Sequence, residues 1–145
     1  IHGQIKGPIP HLNLELEMGI QELCLDAIKK GIIKSAHDLS DGGLAVNISE
    51  SIVHSKPGLG AKLDVVRKLR DDELVFGECQ SVIVVSLEEA ALYELILLAQ
   101  KLDVHTQTIG RVTDKESLVI NDLINIPRNK MENAFFNTLE KILAK

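Results

Sequence analysis

Segments with helical periodicity alternate along this chain with short segments rich in β-branched residues, and this alternation restricts the fold more than any other feature. In residues 13–30 apolar side chains recur at helical spacing, and Gly31 follows at a position typical of a helix end. Residues 81–87 (S-V-I-V-V-S-L) form the strongest predicted strand, which we expect at the centre of a sheet. Strands between helices predict an α/β or α+β fold in which helices pack against a sheet.

The other predicted elements continue the alternation, in the order α-β-α-β-α-β-α-β-β-α. Strands are predicted at residues 32–36, 61–66, 106–112 and 118–126, and helices from residue 44 and over residues 69–76, 88–101 and 129–144. A turn is expected near Asn121 and Asp122, within the last strand region. The final helix carries Met131, Phe135, Leu139 and Ile142 on one face.

The length and composition favour one globular domain and exclude several classes of protein. The chain has 145 residues, and residues 13–145 form the predicted domain, preceded by an extended linker over residues 1–12 that contains Pro8 and Pro10. A net charge of −5 and 3% aromatic residues argue against a nucleic-acid surface. No apolar run is long enough for a membrane span, and no signal peptide is evident.

Two further features are the number of cysteines and the identity of the first residue. Cys24 and Cys79 are too few for a disulfide framework, so we expect free thiols in a reducing, cytoplasmic environment. The chain begins with Ile1 rather than methionine, from which we expect a piece of a longer polypeptide.

The segment that carries the most chemical information is residues 38–43 (D-L-S-D-G-G), between a predicted strand and a predicted helix. Gly42 and Gly43 allow close approach of the backbone, and the first N–H groups of a helix form an anion site. Asp38 and Asp41 supply carboxylate oxygens suited to Mg²⁺, which is commonly held by one or two carboxylates together with substrate phosphate. A simpler alternative is that Ser40 or Asp41 caps the helix and the glycines only form a turn.

Two weaker signals accompany this segment. Residues 76–81 (F-G-E-C-Q-S) precede the strongest strand and are either a ligand-binding loop or a solvated turn. Arg111 is suited to a phosphate contact, but an exposed arginine at the end of a strand explains it equally simply.

Four segments in order resemble one family. Residues 13–17 (N-L-E-L-E), 35–45 (S-A-H-D-L-S-D-G-G-L-A), 76–81 (F-G-E-C-Q-S) and 109–112 (I-G-R-V) resemble the C-terminal domain of phosphoribosylformylglycinamidine synthase, the synthetase of purine biosynthesis. The string H-D-x-S-D-G-G-L-A is specific to this family. Relatives such as aminoimidazole ribonucleotide synthetase and selenophosphate synthetase carry looser versions.

The resemblance implies a fold and an activity. The implied fold is α+β, a mixed sheet with helices packed against it, AIR synthase C-terminal-like with partial ferredoxin-like topology. The implied enzyme is a carbon–nitrogen ligase that uses ATP and Mg²⁺ to convert formylglycinamide ribonucleotide to the amidine, with glutamine as nitrogen donor. Its implied partners are the N-terminal domains of the same enzyme, a glutaminase subunit and a small accessory subunit, and this domain is expected to be inactive alone.

Roles are carried over only where the motif matches. Asp38 matches the carboxylate expected to face Mg²⁺ and nucleotide phosphate, while Ser40, Asp41, Gly42 and Gly43 match the turn that shapes the cleft. The resemblance is to the second half of the synthetase, where the nucleotide is either a substrate ATP or an auxiliary ADP.

Two positions depart from the family pattern, and one histidine has a different expected role. Cys79 and Val82 stand where the family commonly has Ser and Arg. His37 is expected to be structural, since the family's main catalytic histidine belongs to an N-terminal domain. Two other hypotheses stay open: a purely structural, subunit-contacting module, and a domain of another ATP-dependent member of the superfamily.

Overall fold

The structure is a computed structural model that describes residues 12–66 and 68–144. The helices are α1 (Leu14–Lys29), α2 (Gly43–His54), α3 (Asp71–Phe76), α4 (Leu92–Lys101) and α5 (Arg128–Leu143). The strands are β1 (Ile33–Asp38), β2 (Gly60–Leu63), β3 (Ile83–Leu87), β4 (Gly110–Thr113), β5 (Ser117–Ile120) and β6 (Ile124–Pro127). Of the linker predicted over residues 1–12, all but Leu12 lies outside the described residues.

The predicted alternation of helices and strands is confirmed, and local signals explain the boundaries of α1. The side chain of Asn13 accepts hydrogen bonds from the N–H groups of Glu15 and Leu16, both at 3.1 Å, and so caps the start of the helix. Gly31 adopts φ +70° just past its end, which is the conformation that favours glycine there.

The largest differences from the predicted bounds concern three regions. Residues 118–126 form a hairpin of β5 and β6, because Asn121 adopts φ +48° at the expected turn. The strand predicted over residues 106–112 is represented by the later and shorter β4, and the helix predicted from residue 88 starts as a 3-10 turn, Glu89–Ala91, before α4. In each case the residue pattern identified the element, and its bounds depended on the chain that packs against it.

The described strands form two sheets. β1 and β3 pair antiparallel, and the second sheet has the order β4-β2-β5-β6, with β2 and β5 parallel and the other pairs antiparallel. The prediction that residues 81–87 form a central strand is wrong for the described part of the chain, since β3 pairs there only with β1 and its residues are half-buried. A run of β-branched residues indicates an apolar strand, whereas the number of strands that pair with it depends on segments distant in sequence.

Each sheet has its own apolar cluster, and the two clusters meet near one turn. Helices α2 and α5 pack with the four-stranded sheet around Leu118 and Ile120, which have 0% exposure. Helices α1 and α4 pack with the two-stranded sheet around Ala27 and Ala99. Because β1 belongs to the second cluster and α2 to the first, the segment between them, residues 39–42, joins the two cores.

A buried arginine ties α5 to the end of α2. Arg128 is 6% exposed, and its guanidinium donates to the backbone carbonyls of Lys56 at 2.9 Å, Ser55 at 2.9 Å and Val53 at 3.3 Å. Its Nε also donates to Glu132 at 2.7 Å. One side chain therefore satisfies several carbonyl groups at the C-terminal end of α2, a contact that the sequence analysis did not identify.

The apolar face of α5 is only partly buried. Met131 is 5% exposed and packs into the first cluster, but Phe135, Leu139 and Ile142 are 48%, 66% and 63% exposed. The helix is amphipathic as predicted, and beyond its first turn its apolar side chains are largely exposed, although Phe135 contacts the ring of His54 at the end of α2. Among the described residues, no helix combines the length and the apolar character that crossing a membrane requires.

Candidate functional site

The segment singled out in the sequence forms the junction from β1 to α2. Asp38 is the last residue of β1 and Gly43 the first of α2, so the predicted order of strand, turn and helix is present. Gly42 and Gly43 both have positive φ angles, +81° and +64°. The Asp38 side chain is 76% exposed, so its carboxylate is accessible to a ligand.

Neither polar side chain of the turn caps the helix. The N-cap of α2 is Gly42, with no side-chain cap, and the Gly43 N–H donates to the backbone carbonyl of Ser40 at 3.1 Å. The hypothesis that Ser40 or Asp41 is the cap is therefore wrong. Both side chains are exposed at the turn, where they are available to a partner outside the domain.

The turn is packed directly against the second segment, residues 76–81. A Cβ at Gly43 would lie 2.6 Å from the carbonyl carbon of Phe76 and 2.7 Å from the Gly77 oxygen. The Gly42 N–H donates to the Glu78 carboxylate at 3.0 Å, and the Leu39 N–H donates to the Val82 carbonyl at 2.9 Å. The structure thus brings together two segments that lie more than thirty residues apart in the sequence.

Cys79 lies within this second segment. Burial raises the pKa of its thiol above the ordinary value, so the reactive thiolate is disfavoured. Both Cys79 and Cys24 are free cysteines.

Residues 13–17 join the site through Glu17 of α1. The Ser81 hydroxyl donates to the Glu17 carboxylate at 2.6 Å, and Gln21 donates to the same carboxylate at 2.7 Å. Ser81 holds φ +59°, an unusual conformation for a residue other than glycine. The loop between α3 and β3 is therefore attached to α1 on one side and to the β1–α2 turn on the other.

Removal of the Ser81 hydroxyl should make the stability of the protein less dependent on pH. Its hydrogen bond, followed by that of Gln21, holds the pKa of Glu17 below the ordinary 4.5. A lowered pKa in the folded state stabilises the protein above the unfolded value, and this stabilisation is lost as the pH falls through the folded value. The stability difference between wild type and Ser81→Ala, measured by urea unfolding, should be constant well above pH 4.5 and shrink below it.

Ser86→Ala is the matched control, because the Ser86 hydroxyl bonds to another serine, Ser35, instead of a carboxylate. Its stability difference from wild type should not change across the same acidic range. A Ser81→Ala difference that stays constant down to acid unfolding would contradict the assigned hydrogen bond.

Two side chains of α2 brace the end of β1 from within the domain. The Asn47 amide donates to the Asp38 carbonyl at 2.6 Å, and Glu50 lies 3.0 Å from His37 Nε2. The other ring nitrogen of His37 is 2.9 Å from the Asp38 carbonyl oxygen. Both nitrogens of His37 are thus engaged within the domain, as a structural histidine requires.

Two residues of this site, Asn47 and Glu50, were not predicted from the sequence. For Asn47 a signal was present, since it is three residues after Leu44 and so lies on the apolar side of the predicted helix. Glu50 carried no comparable signal, because a glutamate is ordinary in a helix, and Glu78 was predicted only as part of the loop of residues 76–81, without its contact to the turn.

The segment of residues 109–112 lies at the four-stranded sheet. Arg111 is an exposed residue of β4, where it faces Lys62 of β2 across the strands, and Gly110 packs closely against the Lys62 backbone. Residues 76–81 therefore contact the β1–α2 turn directly, residues 13–17 reach that loop through Glu17, and Arg111 belongs to the four-stranded sheet.

The donor set at the turn fits a shared metal site better than a complete one. Among residues 12–66 and 68–144, no three or more His, Cys, Asp or Glu side chains are grouped to hold a metal ion. The exposed carboxylates of Asp38 and Asp41 remain, which is the one- or two-carboxylate contribution typical of Mg²⁺ held jointly with phosphate.

The fold and the glycine turn define an α+β domain of the AIR synthase C-terminal type. The profile of the family described as "AIR synthase related protein, C-terminal domain" matches residues 6–122. The chain belongs to this family.

Curated relatives narrow the comparison. The phosphoribosylformylglycinamidine synthase subunit PurL of Alkaliphilus metalliredigens is 38% identical over 116 residues, which cover 80% of this chain and 15% of the relative. The subunit of the same name from Moorella thermoacetica is 33% identical over 148 residues, covering 99% of this chain and 20% of the relative. The chain therefore spans only about a sixth to a fifth of the length of these relatives.

Solved structures support the fold. The structure described as PurLQS from Thermotoga maritima aligns with a TM-score of 0.73 at 20% identity, over 85% of this chain and 22% of that one. T. maritima PurL complexed with ATP aligns with a TM-score of 0.72 at 19% identity, over 87% of this chain and 23% of that one. At these identities the likeness establishes the architecture, while function requires an argument from the site.

Proposed function

We propose that this chain is the C-terminal domain of the second half of an ATP-dependent synthetase that converts formylglycinamide ribonucleotide to its amidine in purine biosynthesis. The observation that carries the proposal is the contact between three family-like segments: residues 76–81 pack on the β1–α2 turn at Gly42 and Gly43, and Ser81 joins them to Glu17. Similarity to PurL subunits over nearly the whole chain supports it. We assign the domain to residues 13–145 and the linker to residues 1–12.

In this proposal Asp38 is the side chain that faces Mg²⁺ and the nucleotide phosphates, and it projects from the rigid end of β1. Ser40 and Asp41 line the cleft with exposed polar groups, while Gly42 and Gly43 shape it. The N–H groups of the two glycines already donate within the domain, to Glu78 and Ser40. The phosphate donors that α2 offers are therefore the next backbone N–H groups, those of Leu44 and Ala45.

The fit to Mg²⁺ rests on the chemistry of these donors. Mg²⁺ prefers hard oxygen ligands and is commonly held by one or two carboxylates plus phosphate oxygens. When bound, it neutralises charge on the phosphates. The contribution of this chain is to hold Asp38 at a fixed place, to keep the turn rigid against residues 76–81, and to leave one side of the cleft open.

In this proposal a second domain supplies the opposite wall of the cleft. We infer that the N-terminal domains of the same polypeptide complete it, and that the glutaminase subunit, which releases ammonia from glutamine, and the small accessory subunit assemble on the whole synthetase in the cytoplasm. Because this chain contributes no catalytic residue to the reaction in this scheme, we expect it to be inactive alone.

The proposal predicts that Asp38→Asn weakens nucleotide binding at this cleft in the intact polypeptide that carries the chain. Loss of a charged ligand should reduce Mg-ADP affinity about tenfold or more, the effect of losing an interaction with a charged group. Calorimetric titration of Mg-ADP, with and without excess Mg²⁺, measures the change, and Glu94→Gln on α4 is the control for loss of an exposed carboxylate elsewhere.

Turnover of the same variant distinguishes the two roles of the nucleotide. Weaker binding with an unchanged rate of amidine formation assigns an auxiliary ADP to this half, whereas a parallel loss of rate assigns the substrate ATP. An Asp38→Asn protein that binds Mg-ADP as wild type does would refute the site.

One observation favours a second candidate, a structural and subunit-contacting module. The exposed apolar residues of α5, among them Phe135, Phe136 and Leu139, form a surface that a partner domain would cover. On this alternative, alanine at Ser40 or Asp41 leaves nucleotide binding and turnover unchanged, whereas Phe136→Ser disrupts assembly. The two candidates therefore separate in the same pair of measurements.

A further inference from the structure

Asn47 is buried in a way that stability alone does not explain. The residue is 2% exposed, and within the described part of the chain its side chain donates from Nδ2 to the Asp38 carbonyl at 2.6 Å and to the His37 carbonyl at 3.3 Å. Its Oδ1 is buried and has no hydrogen-bond partner among the described residues. A buried acceptor without a donor lowers stability, which offsets part of what the two hydrogen bonds from Nδ2 contribute.

The direction of the Asn47 amide follows from its neighbours. Both groups that it contacts are carbonyl oxygens, which only accept hydrogen bonds, so the nitrogen must face them. The amide therefore extends from α2 to the end of β1 and donates hydrogen bonds to the backbone at His37 and Asp38. The Asp38 carbonyl also lies 2.9 Å from His37 Nδ1, so its position is defined from two directions.

We propose that Asn47 is a positioning residue that sets the location of the Asp38 carboxylate for its ligand, an inference that rests on the proposed function of Asp38. Gly42 and Gly43 give the turn its shape, and Asn47 holds the strand end from which the carboxylate projects. The unpaired Oδ1 lowers the stability of the domain, while the two hydrogen bonds from Nδ2 fix the position of the strand end. Side chains that orient a ligating group are commonly buried and hydrogen-bonded behind it in this way.

The test uses Asn47→Leu and Asn47→Asp in the intact polypeptide, with Mg-ADP as the probe. Leucine removes the two hydrogen bonds to the strand end and also the unpaired acceptor. The thermal midpoint of unfolding should therefore change little, while the affinity for Mg-ADP falls about tenfold. Aspartate has the same shape but directs an oxygen at two carbonyl oxygens, so affinity should fall at least as far. Ser51→Ala is the matched control, since the Ser51 hydroxyl bonds only within α2, to the Asn47 carbonyl.

A double-mutant cycle with Asp38→Asn separates positioning from a general effect on the fold. If Asn47 acts through Asp38, Asn47→Leu should have little further effect on affinity once the carboxylate is gone. Wild-type affinity in both Asn47 variants would overturn the inference, and so would equal losses in the two backgrounds. A large fall in thermal midpoint in both variants would also overturn it, by assigning Asn47 to the core.

The cycle also distinguishes this inference from the function on which it rests. If Asp38→Asn weakens binding and the Asn47 variants do not, only the positioning role is wrong. If Asp38→Asn itself has no effect, the site assignment is wrong and the positioning role falls with it.

Discussion

Gly43→Ala is expected to destabilise this domain by about 3–5 kcal/mol, from backbone strain combined with forced displacement of neighbouring chain. The glycine holds φ +64°, and an added Cβ would lie within 3 Å of backbone atoms of Phe76 and Gly77. Backbone on both sides limits relaxation, so either the turn or residues 76–81 must move. Urea unfolding monitored by circular dichroism measures the loss, a large part of the roughly 5–15 kcal/mol that keeps a typical domain folded.

Gly31→Ala is the control for the backbone angle alone. Gly31 has a similar φ of +70°, but nothing lies within 4 Å of its added Cβ. Its alanine variant should lose only the conformational term, about 1–2 kcal/mol. Equal losses for the two variants would show that the turn does not pack tightly on residues 76–81.

Arg128→Ala is expected to cost about 3–5 kcal/mol, because it takes the guanidinium donor away from several carbonyls inside the domain and removes the partner of Glu132, whose side chain is 40% exposed. The groups affected are the Glu132 carboxylate and the carbonyls of Val53, Ser55 and Lys56. Arg128→Lys should recover only part of the loss, since one ammonium group cannot reproduce the planar, forked set of donors. Denaturant unfolding of the three proteins gives the ranking.

Lys130→Ala is the matched control, since Lys130 is a cation on the same helix and is exposed. Its loss should lie within about 0.5 kcal/mol of zero, as for most surface substitutions. Raised salt should leave the Arg128 effect largely intact, because the guanidinium is itself buried and donates mainly to uncharged carbonyls. An Arg128→Ala protein as stable as Lys130→Ala would show that the Arg128 contacts do not hold α5 against α2.

The elements most accessible from the sequence were those with local signals. The periodicity of α1 and the glycine at Gly31 depend on residues within a few positions of each other, and the structure confirms both; the cap at Asn13, which the structure added, acts over the same range. The β5–β6 hairpin was foreseen only as a turn near Asn121, because a turn signal does not say which strands pair. The central placement of residues 81–87 was predicted wrongly, since in the described part of the chain β3 pairs only with β1, and strand pairing depends on residues distant in sequence.

The candidate site divides in the same way. The turn at residues 38–43 is identifiable from its residue types, because glycine, serine and aspartate carry conformational and chemical meaning on their own. The buried amide of Asn47 and the reach of Glu78 to the Gly42 N–H were beyond the sequence, since each depends on two elements meeting.

By itself, then, the sequence determined the order of helices and strands, the strand–turn–helix placement of residues 38–43 and a resemblance specific enough to indicate the family. Only the tertiary structure decided that Glu17, Gly42 and Ser81 belong to one site, that Ser40 and Asp41 do not cap α2, and that Arg128 joins α5 to α2. The physical reason is range. Propensities, caps and turns are set by neighbours along the chain, whereas hydrogen bonds between buried groups are set by which surfaces pack together.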